Sequence, residues 1–157
     1  MPGVMPGRVV AAMLMVVGLR ADVAAAQVDA PLLPESRFVG DTIPEPLTDT
    51  PGDPERGRQV VLGREEGNCL ICHRVPEPAE RFMGELGPDL AGVGSRLTAA
   101  QLRLSIVDQS RRDPRTLMPP FYRVDQLALV AEQYRGKPVL TAQQVEDVVA
   151  YLQTLRK

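Results

Sequence analysis

Cys69, Cys72 and His73 fall within five consecutive positions of "GNCLICHRV", Gly67 to Val75, and they are the only cysteines and the only histidine of a 157-residue chain. Several chemistries use such a cluster. A redox disulfide between Cys69 and Cys72 calls for a preceding strand and a βαβ context, and the flanking sequence offers neither. A zinc site normally takes four ligands; with no other Cys or His, the fourth would be a carboxylate or water. A catalytic Cys and His pair gains nothing from adjacency in sequence. The C-x-x-C-H spacing is instead the attachment signature of c-type haem. Two thiols one helical turn apart can reach the two vinyl groups on one edge of a porphyrin, while the next imidazole turns to the iron.

A single histidine leaves the second face of the iron to another donor. Methionine is the natural choice, and beyond the N-terminal apolar run only Met83 and Met118 exist. Met83, in "ERFMGEL", lies close after His73 and belongs to the proximal side. Met118 lies beyond a helix, in "TLMPPFY", where Pro119 and Pro120 stiffen the backbone. Met118 is therefore the expected distal ligand, with Met83, Lys137 or an open iron as alternatives. His/Met ligation raises the reduction potential and fills both axial positions, which suits one-electron transfer and not the binding of oxygen or peroxide. The His73 Nδ1 should donate to a carbonyl in "GPDLAGVG".

These residues need a scaffold, and the chain signals one. At "DPERGRQVVLG", Asp53 is a candidate N-cap with Pro54 at the first helical position. Gly57 inside that helix costs about 1 kcal/mol relative to Ala, which points to a close helix crossing. "LTAAQL" and "LTAQQV" both read as capping boxes, Thr98 with Gln101 and Thr141 with Gln144, each preceded by a leucine able to staple the first turn. The last helix carries Val145, Val148, Val149, Leu152 and Leu155 on one stripe, with Glu146 and Asp147 off it. No stretch alternates convincingly between turn signals, so the domain is expected to be all-helical with long loops. Few aromatic residues are available to fill its centre, which a bound macrocycle would help to occupy.

Upstream, Arg8, the apolar run "VVAAMLMVVGL" and the small-residue stretch "AAA" read as a secretion signal over residues 1–26, cleaved after Ala26. The run is too short for the roughly 20 residues that span a bilayer. Residues 27–52 follow as a proline-rich extended arm, whose Leu32, Leu33, Phe38, Val39 and Ile43 can anchor it to the domain's flank or to a partner. The helical domain takes residues 53–157. A formal charge of -2 provides no basic field for nucleic acid. The charged stretches "ERGR" and "SRRDPR" read as solvated surface, the second with the further options of guiding an acidic partner or holding a haem propionate.

Taken together, C-x-x-C-H, "GPDLAG", a distal methionine and the terminal "VVAYLQTL" resemble class I cytochromes c over Asp53 to Lys157. That resemblance implies the class I fold, helices and long loops wrapped around one covalent haem. It also implies that Pro88 supplies the carbonyl for the proximal histidine, and that Gly57 marks the crossing of the terminal helices with Tyr151 near the contact. More narrowly, "GNCLICH", "GVGSRLT", "TLMPPFYRV" and "GKPVLTAQQVEDVVAYLQTL", in that order, resemble the SoxX family. The family resemblance implies a periplasmic heterodimer with the SoxA cytochrome. That complex joins thiosulfate to a cysteine of the SoxYZ carrier protein, an L-cysteine S-thiosulfotransferase reaction. It further implies that this chain is not catalytic alone but relays electrons to a soluble cytochrome c. Two other functions remain compatible with the haem motif: a freestanding periplasmic shuttle, and a haem enzyme or gas sensor whose methionine dissociates.

Overall fold

Asp53 caps helix α1 (Pro54–Leu62): its carboxylate accepts from the Glu55 and Arg56 N–H groups, each at 2.9 Å, and Pro54 supplies the first helical position. The structure, a computed structural model, describes residues 33–156 and the single residue Gly3. The expected secretion signal and the first residues of the arm lie outside the described residues. Helices α2 (Val93–Arg96), α3 (Ala99–Asp108) and α4 (Ala142–Thr154) follow α1. Thr98 and Thr141 cap α3 and α4, and in each the N3 glutamine side chain returns to the cap's backbone N–H, so both expected capping boxes form. Among the described residues there is no strand, only an isolated antiparallel bridge between Val39 and Thr42. The architecture is helical with long loops, as the sequence predicts.

Helix α4 is the shared element, packing on α1, α3 and α2. Its contact with α1 is a backbone contact. Gly57 is buried there, and a Cβ on it would overlap the Asp147 carbonyl, so a residue with any side chain would force the helices apart. Val61 of α1, Leu104 of α3 and Val145 of α4 lie fully buried on the core side of these contacts. The apolar stripe read from the sequence faces inward as expected.

The two acidic residues beside that stripe are not solvated. Glu146 and Asp147 are 5% and 2% exposed, because α1 covers one and α3 with the arm covers the other. Asp147 takes the Arg56 guanidinium through two bonds of 2.8 Å and the Asp53 N–H at 2.8 Å. Glu146 takes Arg103 through bonds of 2.7 and 2.9 Å, and Arg103 Nη1 continues to the Ile43 carbonyl at 2.7 Å. The Leu47 N–H donates to Glu146 Oε1 at 2.9 Å.

The Arg103 and Glu146 pair thus fastens residues 43–47 to the helices. Ile43 is fully buried and its N–H donates to the Ala100 carbonyl at 3.1 Å. Of the two anchorages open to the arm, the domain's flank or a partner, Ile43 takes the domain. "SRRDPR" is likewise only partly solvated. Arg111 forms an ion pair with Glu35 and stacks 3.7 Å over the Phe38 ring, holding the arm from a second side, while the Arg115 side chain stays exposed.

Gly57→Ala is expected to lower folding stability by about 1–3 kcal/mol through overpacking at the crossing, read as a shift in denaturant midpoint; an unchanged midpoint would remove the tight-crossing argument. Glu146→Ala leaves Arg103 buried without a counter-charge and is expected to cost about 3–5 kcal/mol, with the arm becoming sensitive to limited proteolysis near Ile43. Intact protection there would show that the ion pair does not fasten the arm.

Candidate haem-attachment site

Asn68 takes a left-handed conformation, φ 48°, and turns the chain out of α1 into a single 3-10 turn, Cys69–Ile71. Leu70, 3% exposed, pins that turn to the core. The Cys72 and His73 N–H groups both donate to the Cys69 carbonyl, at 3.1 and 2.9 Å, so the motif's three side chains leave one compact turn. Cys69 and Cys72 are each partly exposed and are not bonded to each other. Before any thioether forms, burial pushes the Cys69 thiol up to about 11.

The segment from Met83 to Leu90 runs along this turn and its exit, bonding to them at every third residue. The Gly84 N–H donates to the Leu70 carbonyl at 2.7 Å, Gly87 to Cys72 at 2.7 Å, and Leu90 to Arg74 at 2.9 Å. This register sets the Pro88 carbonyl 2.7 Å from His73 Nδ1. Gly87 is obligatory here, since a Cβ on it would overlap the imidazole ring. A carbonyl oxygen only accepts, so Nδ1 carries the proton and Nε2 keeps its lone pair for a metal. Arg96 steadies the same loop by donating to the Ala91 and Asp89 carbonyls, at 2.5 and 2.9 Å.

The two methionines are placed differently. Met83 is partly buried, and its sulfur accepts the Val75 N–H at 3.2 Å, which turns the thioether toward the segment that follows His73. Met118 is on a separate loop, partly buried against the core, with its N–H on Thr116 Oγ1 at 3.1 Å. Just beyond Pro119 and Pro120, the Phe121 N–H bonds to the Ile106 carbonyl at 3.1 Å, and the Leu140 N–H bonds to the Phe121 carbonyl at 2.9 Å. The methionine loop is therefore tied both to the end of α3 and to the approach to α4.

One cluster near the motif had no sequence signal. Arg58, in the "ERGR" stretch read as solvated, donates twice to Glu77 at 2.8 Å, and the Tyr151 hydroxyl donates to Glu77 Oε1 at 2.9 Å. The Arg58 hydrogen bonds hold the Glu77 carboxyl below its ordinary range, and burial pushes the Tyr151 phenol up. Charged residues on a short amphipathic helix look solvated in sequence; the loop after the motif brings Glu77 to Arg58, and the return of α4 adds Tyr151.

The residues present fit a c-type haem. Among the described residues no strand precedes the motif, so the βαβ context of a thioredoxin-type disulfide is missing there. Among the described residues no group of three or more His, Cys, Asp or Glu could hold a metal ion, which sets aside zinc. Two thiols and an imidazole with a free Nε2 share one turn. Ile71 in the turn itself, Phe82 and Leu86 beside Met83, and Leu117 beside Met118 expose apolar side chains.

The cytochrome c family model matches residues 54–156. The crystal structure of SoxXA from P. pantotrophus is similar at 38% identity and a TM-score of 0.71, over 76% of this chain and 93% of that chain. The c-type cytochrome SorU from Sinorhizobium meliloti is 22% identical with a TM-score of 0.42, over 65% of this chain and 88% of that chain. No curated protein sequence matches the chain. No helix among the described residues is long and apolar enough to cross a membrane. The chain belongs to the cytochrome c family, is of the SoxX type within it, and carries one covalently attached haem c for electron transfer.

Proposed function

We propose that this chain is the electron-relay subunit of a periplasmic SoxAX complex that conjugates thiosulfate to a cysteine of the SoxYZ carrier. The observation that carries this reading is the 38% identity to the SoxXA structure over 93% of that chain. Joining a thiosulfate sulfur to a carrier thiol forms one sulfur to sulfur bond and releases two electrons and the thiol proton. That chemistry belongs to the SoxA partner. The present chain accepts the electrons one at a time and passes each to a soluble cytochrome c.

In this reading Cys69 and Cys72 would hold the haem through thioethers, and His73 Nε2 and the Met118 sulfur would bind its iron. The haem supplies a one-electron couple. The protein's own part is to fix those donors. Pro88 selects the His73 tautomer and keeps its ring oriented, Gly87 makes room for that approach, and the bonds at Phe121 and Leu140 hold the Met118 loop in place. Residues 1–26 direct export and are removed, residues 27–52 form the arm, and residues 53–157 form the cytochrome domain.

Met118→Ala is expected to convert low-spin iron to a largely high-spin form that binds carbon monoxide when reduced, and to lower the reduction potential. An unchanged spectrum would reassign the distal ligand. Purification of the mature protein from its native periplasm, with intact mass analysis, is expected to give one haem on this chain and a second haem-bearing polypeptide in fixed ratio. One haem and no partner would favour a freestanding shuttle instead.

A further inference from the structure

Arg58, Glu77 and Tyr151 come from three separate segments: α1, the loop leaving the attachment turn, and α4. Their contacts form one clasp centred on the Glu77 carboxylate, with bonds of 2.8, 2.8 and 2.9 Å. Tyr151 is 4% exposed and the Glu77 side chain 15%, while Arg58 covers them from the outside with its own side chain 37% exposed. Both Glu77 oxygens are engaged, and the fork of Arg58 fixes the carboxylate's plane.

From this clasp a short chain of contacts leads to the proximal histidine. The Glu77 N–H folds back onto the Val75 carbonyl at 2.8 Å, and Val75 is buried at 6% exposure. The neighbouring Arg74 carbonyl accepts the Leu90 N–H at 2.9 Å, and that bond closes the loop carrying Pro88. Pro88 in turn accepts from His73 Nδ1. The links are hydrogen bonds joined by one or two residues of backbone, and they form the route by which a displacement of Glu77 would reach the Pro88 carbonyl on the ring.

We propose that Glu77, held by Arg58 and Tyr151, is a positioning residue for His73. It fixes the exit of the attachment turn, keeps the Pro88 carbonyl on Nδ1, and so sets how strongly Nε2 donates to iron. The inference rests on the reading of His73 as the proximal ligand. A firm bond on Nδ1 makes the imidazole a stronger donor and favours the oxidised iron. Loosening the clasp therefore raises the reduction potential and exposes the Nδ1 proton.

The test uses the haem-loaded, reduced protein. His73 is the only histidine, so its ring N–H is a single assignable signal in nuclear magnetic resonance. Glu77→Gln removes a negative charge, which by itself raises the potential, so the decisive variant is the uncharged change Tyr151→Phe. The expected result is ring N–H exchange with solvent roughly tenfold faster in Tyr151→Phe, with a higher midpoint potential, and a larger change of the same sign in Glu77→Gln. Glu146→Ala, destabilised on the arm side, serves as the control for general loosening. Exchange and potential unchanged in Tyr151→Phe, or moved no further than in Glu146→Ala, would overturn the proposal and leave the clasp merely structural. If Glu77→Gln does not load haem, Tyr151→Phe decides alone. Parent His73 signals without a haem ring-current shift would instead remove the ligand reading itself.

Discussion

Because Gly57 has no side chain, the backbones of α1 and α4 approach at Asp147, and the two ends of the domain close on each other. The other contacts of the structure are organised around that closure. It places Arg56 over Asp147, brings Tyr151 to the loop that carries Glu77, and makes α4 the surface on which α3 and α2 pack. The attachment turn follows α1 directly and is pinned by Leu70. Its position is thus inherited from the helix crossing and not from local sequence alone.

Three carboxylates turn this crossing into a fastened structure, and each takes a forked guanidinium: Asp147 with Arg56, Glu146 with Arg103, and Glu77 with Arg58. Arginine suits all three positions because its planar fork meets a carboxylate through two bonds at once. Glu146 and Asp147 are neighbours on α4, yet successive residues of a helix diverge by about 100°, so one reaches α3 and the arm and the other reaches α1. A single turn of α4 thereby secures both flanks of the domain.

On the proximal side the chemistry reduces to the location of one proton. The loop register from Gly84 to Leu90 delivers a carbonyl to His73 Nδ1, and a carbonyl can only accept. Tautomer, ring orientation and donor strength at Nε2 all follow from that bond. An electron-transfer protein gains from such rigidity, since a ligand set that moves little between oxidation states adds little to the barrier of each transfer.

Much of this was legible from residue spacing. C-x-x-C-H named the attachment chemistry because covalent reach and ligation both depend on short-range geometry, and the capping boxes at Thr98 and Thr141 announced their helices because the bonds lie within four residues. Gly57 was readable as a crossing, since a glycine inside a helix needs a reason. The partners of Glu77, Glu146 and Asp147 were not readable. Each is a charged residue with nothing beside it in sequence that announces a partner, and its burial depends on segments 19 to 99 residues away. Periodicity reports which face of a helix is apolar; it carries no information about which other chain segment will cover the polar one. The sequence by itself determined the haem chemistry and the helical framework, because both rest on local bonds. Only the tertiary structure decided where the arm docks, which charges are paired, and what braces the proximal loop, because those depend on contacts made after the chain has closed on itself.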